Sequence, residues 1–125
     1  MTNRIGDAYF SGRINYGYTV GIVAGTTQTQ AGGTVLTTDL NEIATVANAN
    51  DVVTLPAALV GTSVTVFNNG ANTLQIFPAV GDNLGAGVDT STTLAAGINR
   101  EFVSYNSTNW EVSASSGLAN WDESG

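Results

Sequence analysis

Residues 51–82 read DVVTLPAALVGTSVTVFNNGANTLQIFPAVGD. Within this stretch Ser63-Val64-Thr65-Val66-Phe67 and Thr73-Leu74-Gln75-Ile76-Phe77 each alternate apolar with polar residues. That is the period of a strand with one buried face. Between the two runs stands Asn68-Asn69-Gly70-Ala71-Asn72. Asn-Gly tolerates the positive φ angles of a tight hairpin turn, so the pattern predicts that the two strands pair antiparallel. Val64, Val66, Leu74 and Ile76 then share a core face. The stretch describes a small β scaffold with polar atoms placed for structure.

Composition narrows the function classes. The chain contains no His, no Cys and no Lys. Imidazole acid–base chemistry, thiolate nucleophiles, zinc sites of His or Cys, and Schiff bases are excluded. Ten Asp and Glu against three Arg give a formal net charge of −7. An acidic chain is a poor tracker of phosphate backbones and of anionic lipid, so neither nucleic acid nor membrane is an expected partner. The charge serves solubility. No cofactor and no metal are expected. At 125 residues the chain reads as one domain with tails. It has no apolar run of membrane-spanning length and no apolar N-terminal leader, which reads as a soluble protein made in a cytosol.

Working outward, residues 34–113 form the β domain. Strands are expected at 35–37, 42–47, 52–55, 92–95, 100–105 and 110–113, besides the pair above. Strand-length runs separated by Gly, Asn, Asp and Pro at roughly ten-residue intervals predict an all-β fold, a small antiparallel β-sandwich or barrel of jelly-roll or tulip-like form. Leu36, Leu40, Ile43 and Ala47 also fit a helical period, against the Thr, Val and Asn content around them.

Residues 1–33 read as an extended N-terminal arm with one strand. Ile14, Tyr16, Tyr18, Val20 and Ile22 fall on one side of it, and Asn15, Gly17, Thr19 and Gly21 on the other. Such a strand suits lying flat against another sheet or a neighbouring chain. The alternative is an ordinary first strand of the domain itself. Residues 25–33, GTTQTQAGG, read as an exposed linker and so as the protease-sensitive joint between arm and domain. Residues 114–125 form a short polar acidic tail that contains Trp121, either docked somewhere or at a frayed end.

Several features carry a chemical and a structural reading side by side. Asp82-Asn83 with Asp89, around the Gly-rich loop 81–87, has oxygen ligands suited to Ca²⁺ but matches no calcium-loop spacing, and a plain turn is favoured. Glu101 and Glu111, with Arg100 nearby, offer a carboxylate pair of the glycosidase kind, against solvated sheet-face charges, which are favoured. Asn106-Ser107-Thr108 is a formal glycosylation sequon in a chain without an export signal. Tyr105 and Trp110 suit stacking on a sugar, with core packing favoured.

The elements Leu55-Pro56-Ala57, Gly61, the Val64 to Phe67 strand, Asn69-Gly70, Phe77-Pro78-Ala79-Val80-Gly81-Asp82, Gly97, Phe102 and Trp110 resemble a β module recurrent in tailed-bacteriophage virion proteins. The likeness covers about half the chain and lies in turns and apolar positions. The opening Asn3-Arg4-Ile5-Gly6-Asp7-Ala8-Tyr9-Phe10-Ser11-Gly12 is similar to the leading arms of small phage head-decoration proteins. The resemblance implies a structural protein without enzymatic activity, a capsid decoration or cement protein. It would sit on the virion capsid surface after synthesis in the host cytoplasm, bind the major capsid protein and associate as a homotrimer. Arg4, Tyr9, Phe10, Arg13, Ile14, Tyr16, Tyr18, Val20 and Ile22 are then the capsid-binding arm residues, with Trp121 as a docking residue of the tail. The runner-up is a tail-fibre or receptor-binding module contacting a host surface glycan. A chain beginning at Met1 with no heptad stretch favours decoration over that alternative.

Overall fold

The computed structural model describes residues 17–112. Runs of alternating β-branched and polar residues form nine strands there: β1 (Tyr18–Val23), β2 (Thr34–Val35), β3 (Leu40–Thr45), β4 (Asp51–Thr54), β5 (Ser63–Asn68), β6 (Leu74–Phe77), β7 (Thr92–Leu94), β8 (Asn99–Ser104) and β9 (Trp110–Val112). No described residue is helical, so the helical period through Leu36, Leu40 and Ile43 is unused and β3 takes that segment. The expected all-β class holds.

The strands divide into a five-stranded sheet, ordered β1-β3-β5-β8-β9, and a four-stranded sheet, ordered β2-β4-β6-β7. From β1 to β6 the chain alternates between them, and each return lands beside the previous strand in the same direction. Thus β1, β3 and β5 are parallel, as are β2, β4 and β6. Three coils therefore stack on one another. β3 starts at Leu40 and β5 at Ser63, β4 at Asp51 and β6 at Leu74, the same interval of 23 residues in both sheets. Antiparallel β7, β8 and β9 close the last coil.

This corrects the antiparallel expectation. β5 and β6 are not a hairpin; they lie in opposite sheets. Val64, Val66, Leu74 and Ile76 do meet in the core, but across the gap between sheets, with Ile43, Val53, Leu55, Leu94, Phe102 and Trp110. Each aliphatic side chain withdrawn from water there contributes about 1.5–3 kcal/mol.

Corners rather than hairpin turns link the strands from β1 to β6. Residues 69–73 stack on residues 46–50 of the preceding coil. Asn72 Nδ2 donates to the Val46 and Ala47 carbonyls at 2.8 and 3.1 Å, and the Asn50 N–H donates to Thr73 O at 2.7 Å. Gly70 is needed for this stacking, because a Cβ there would lie 2.7 Å from both the Val46 backbone nitrogen and its Cγ2. The Asn-Gly pair thus answers a close approach of two backbones, not a left-handed turn.

The boundary expected at residue 33 moves as well. β1 pairs along β3 and delivers Ile22 and Ala24 to the core. Residues 24–33 are an enlarged corner of the first coil, fastened across β4. Gly25 and Val52 exchange two backbone hydrogen bonds of 2.8 and 2.9 Å. Gln28 Nε2 donates to Asp51 Oδ1 and to Ala49 O, and Gln30 Nε2 donates to Pro78 O. Val52 and Thr54 are buried in consequence. Residues 17–33 therefore belong to the β domain. The rest of the expected arm, residues 1–16, and the expected tail, residues 114–125, lie outside the described residues, as does Ser113.

Candidate functional site

Of the nine expected arm residues, Arg4, Tyr9, Phe10, Arg13, Ile14 and Tyr16 lie outside the described residues, as does Trp121. The other three occupy β1, and they do not share a face. Tyr18 and Val20 are 69% and 65% exposed, whereas Ile22 is 9% exposed and part of the core. A bulge separates them. Thr19 pairs with Asn41 and Ile22 with Ile43, so β1 spends one more residue than β3 over that interval. Gly21, at φ +73°, takes the left-handed conformation that the extra residue requires.

Among the described residues β1 is also an open edge. The Gly17 carbonyl accepts from Leu40 N–H, which directs the backbone groups of Gly17 and Thr19 toward β3 and those of Tyr18 and Val20 away from it. No charged residue occurs between Arg13 and Asp39. The other edges are short: β2, β7 and β9 have two, three and three residues. β9 carries Glu111, and the Arg100 guanidinium donates to Thr93 O on β7. Apart from its bulge, β1 has none of the charges or prolines that usually blunt an exposed edge.

A second surface, rich in exposed apolar side chains, was not anticipated from the sequence. The strand directions bring connections 36–39, 55–62, 78–91 and 105–109 to one end of the sandwich. The last three are tied together. Asp82 Oδ2 accepts from Ala58 N–H at 2.8 Å, Gly61 N–H donates to Ser104 O at 2.8 Å, and Asn83 N–H donates to Thr108 O at 2.8 Å. From this braced frame Leu59, Val60, Val80, Val88 and Tyr105 project into solvent, Val80 at 81% exposure. The available signal was apolar residues beside Gly in turn-rich stretches, as in Leu59-Val60-Gly61 and Val80-Gly81, where polar residues are the rule.

The candidate chemical groups serve structure. In the loop considered for Ca²⁺, Asp82 accepts from Ala58 N–H, Asp89 Oδ1 from Gly81 N–H at 2.7 Å, and Asn83 Oδ1 from Gly85 and Gly87 N–H. No cluster of three or more metal-ligating side chains occurs among the described residues. Glu101 accepts a hydrogen bond from the Ser63 hydroxyl, and Glu111 is exposed opposite Val103. Asn106 Oδ1 closes its own turn by accepting from Thr108 and Asn109 N–H. Trp110 is a core residue whose buried Nε1 finds no acceptor among the described residues, while Tyr105 stands at the loop end.

Two carboxyls titrate below their ordinary range. The Asn69 side-chain amide and then the Gly21 N–H lower Glu42, and the Gly81 N–H and then the Gln30 amide lower Asp89. Groups depressed in the folded state stabilise it above the unfolded carboxylate pKa, and that contribution disappears as pH falls through the folded value. Glu42→Gln with Asp89→Asn is therefore expected to flatten the loss of thermal stability between about pH 5 and pH 2. Scanning calorimetry over that range checks it; an acid limb as steep as the parent's would contradict the assignment.

No family model, no curated protein and no solved structure matches this chain.

Proposed function

We propose that this chain is a virion structural protein, a decoration or cement protein that binds the outside of a phage head as a homotrimer and braces capsomer contacts. The observation that carries this reading is the first coil: in an acidic protein it is free of charge, and its edge strand continues directly from the N-terminal segment. Electrostatic repulsion from an acidic shell is least there. Tyr18 and Val20 offer apolar contacts, and their outward backbone groups accept a partner strand.

The sixteen residues ahead of Gly17 extend the grip. At full stretch they reach about 55 Å, enough to touch a neighbouring capsomer. Arg4 and Arg13 pair with shell acids, and Tyr9, Phe10, Ile14 and Tyr16 cover apolar shell surface. Three linked copies raise the apparent affinity without new contacts. The second reading, a receptor-binding module of the tail, is favoured by one feature, the exposed Tyr105 ring on a braced loop, which suits stacking on a glycan.

Cryo-electron microscopy of particles carrying the full chain, or a variant lacking residues 1–16, tests the proposal. Density on the head faces that is lost with the segment is the expected result. Density confined to the tail would instead establish the second reading. Light scattering of the purified chain gives the copy number.

A further inference from the structure

We infer that the loop end is the face this protein turns toward its partner, with Val60, Val80 and Tyr105 docking on an apolar patch of the same shell that the N-terminal segment grips. This rests on the decoration reading above.

Three observations converge on it. First, the N-terminal segment joins the fold at this end. Gly17 precedes β1, its N–H donates to Asp39 Oδ2, and Asp39 lies in connection 36–39, on the same side as the three apolar loops. A shell site that grips the chain just ahead of Gly17 is therefore within reach of these loops. Second, the end concentrates exposed apolar side chains. Leu59, Val60, Val80, Val88 and Tyr105 stand out from it, and of its three carboxylates Asp82 is buried against the Ala58 amide and Asp39 is partly buried at Gly17, leaving Asp89 exposed. The corners of the opposite end are uncharged too, but they hold Asn48, Asn50, Asn69 and Asn72, with Ile98 the one large exposed apolar side chain of those corners among the described residues.

Third, the loops are held in place before any partner arrives. Ser104 is tied on both sides, its N–H to Thr62 O and its carbonyl to Gly61 N–H. Trp110 N–H donates to Asn83 O, which locks the longest loop to β9. Apolar tips on a fixed frame lose little conformational entropy on docking, the condition under which a few side chains give useful affinity. The Asp89 carboxylate at the margin, lowered by Gly81 and Gln30, stays ionised and suits the polar rim of such a contact.

The experiment measures binding of the purified full chain to heads assembled without it. Val60→Asp with Val80→Asp is compared with Ala96→Asp with Ile98→Asp, which adds the same charge at the opposite end. The loop-end pair is expected to bind on the order of 100-fold more weakly, from two lost apolar burials, and the control pair within about threefold of the parent. All four positions are exposed, and thermal midpoints report whether each variant is folded. If the loop-end pair proves unstable, Val80→Ser with Tyr105→Ser replaces it. Parent-like binding of the loop-end variant overturns the inference while leaving the decoration reading intact. Equal weakening by both pairs overturns it too, because acidity alone would then be the cause. A parent chain that binds no heads overturns the decoration reading itself, and the inference with it.

Discussion

A chain that begins at Thr34 loses its cooperative fold, or melts far below one that begins at Gly17. The contrast follows from where β1 and its corner lie. Removing residues 17–33 takes Ile22 and Ala24 from the core and uncovers the outer faces of Val52 and Thr54. Ile22 alone accounts for about 1.5–3 kcal/mol. Each backbone bond lost from β3 and β4 adds about 0.5–1.5 kcal/mol. Set against a total stability of about 5–15 kcal/mol, the sum is most of what holds a small domain together. At about 4–8 °C per kcal/mol, the midpoint falls by tens of degrees. Calorimetry of the two truncated chains decides the matter. Equal midpoints would mean that the first coil is an appendage after all. The result also fixes how attachment must be tested, since the longer deletion takes β1 and its corner out of the scaffold.

The second large effect is expected at Asn68, a fully buried polar side chain at the end of β5. Its Nδ2 donates to Asn72 O at 3.0 Å and to Leu94 O at 2.9 Å, and its Oδ1 accepts from Gly70 N–H at 3.0 Å. Its own N–H and carbonyl bond to Ile98 and Gly97. One residue thus joins the five-stranded sheet, the 69–73 corner and β7 of the other sheet. Asn68→Ala strands the buried Leu94 carbonyl and loosens the corner. Leaving a buried group unsatisfied costs about 1–3 kcal/mol, so with the corner the loss is expected near 3–4 kcal/mol. Urea titration measures it, and a change below about 1 kcal/mol would show that water takes over these bonds without loss.

Strand positions were largely legible in the sequence, because burying one face imposes a two-residue period whatever the partner. Segments expected at 42–47, 52–55, 92–95, 100–105 and 110–113 overlap β3, β4, β7, β8 and β9. The core residues Val64, Val66, Leu74 and Ile76 were legible for the same reason. A repeat was also there to be read: Asn48-Ala49-Asn50 and Gly70-Ala71-Asn72, then Leu55-Pro56-Ala57 and Phe77-Pro78-Ala79, recur one coil apart. Its brevity, and an Asn-Gly pair that mimics a hairpin, hid it. The candidate site was legible only in part. The stripe through Tyr18, Val20 and Ile22 presumed an unbroken strand, and the bulge at Gly21 turns Ile22 inward.

By itself, then, the sequence determined the all-β class, the strand positions and a core built on alternation, since hydrophobic burial acts locally on every second residue. It also determined the distribution of charge, including the uncharged run before Asp39. Partner choice was left to the tertiary structure. A five-residue link between β5 and β6 can close a hairpin or turn a corner between sheets about 10 Å apart, and local propensity is the same for both. The corner prevails where Asn68, Asn72 and the Val46–Gly70 approach bind it to the coil below, contacts between residues more than twenty positions apart. Those long-range contacts set the parallel pairing and carry the apolar loops to one end of the molecule.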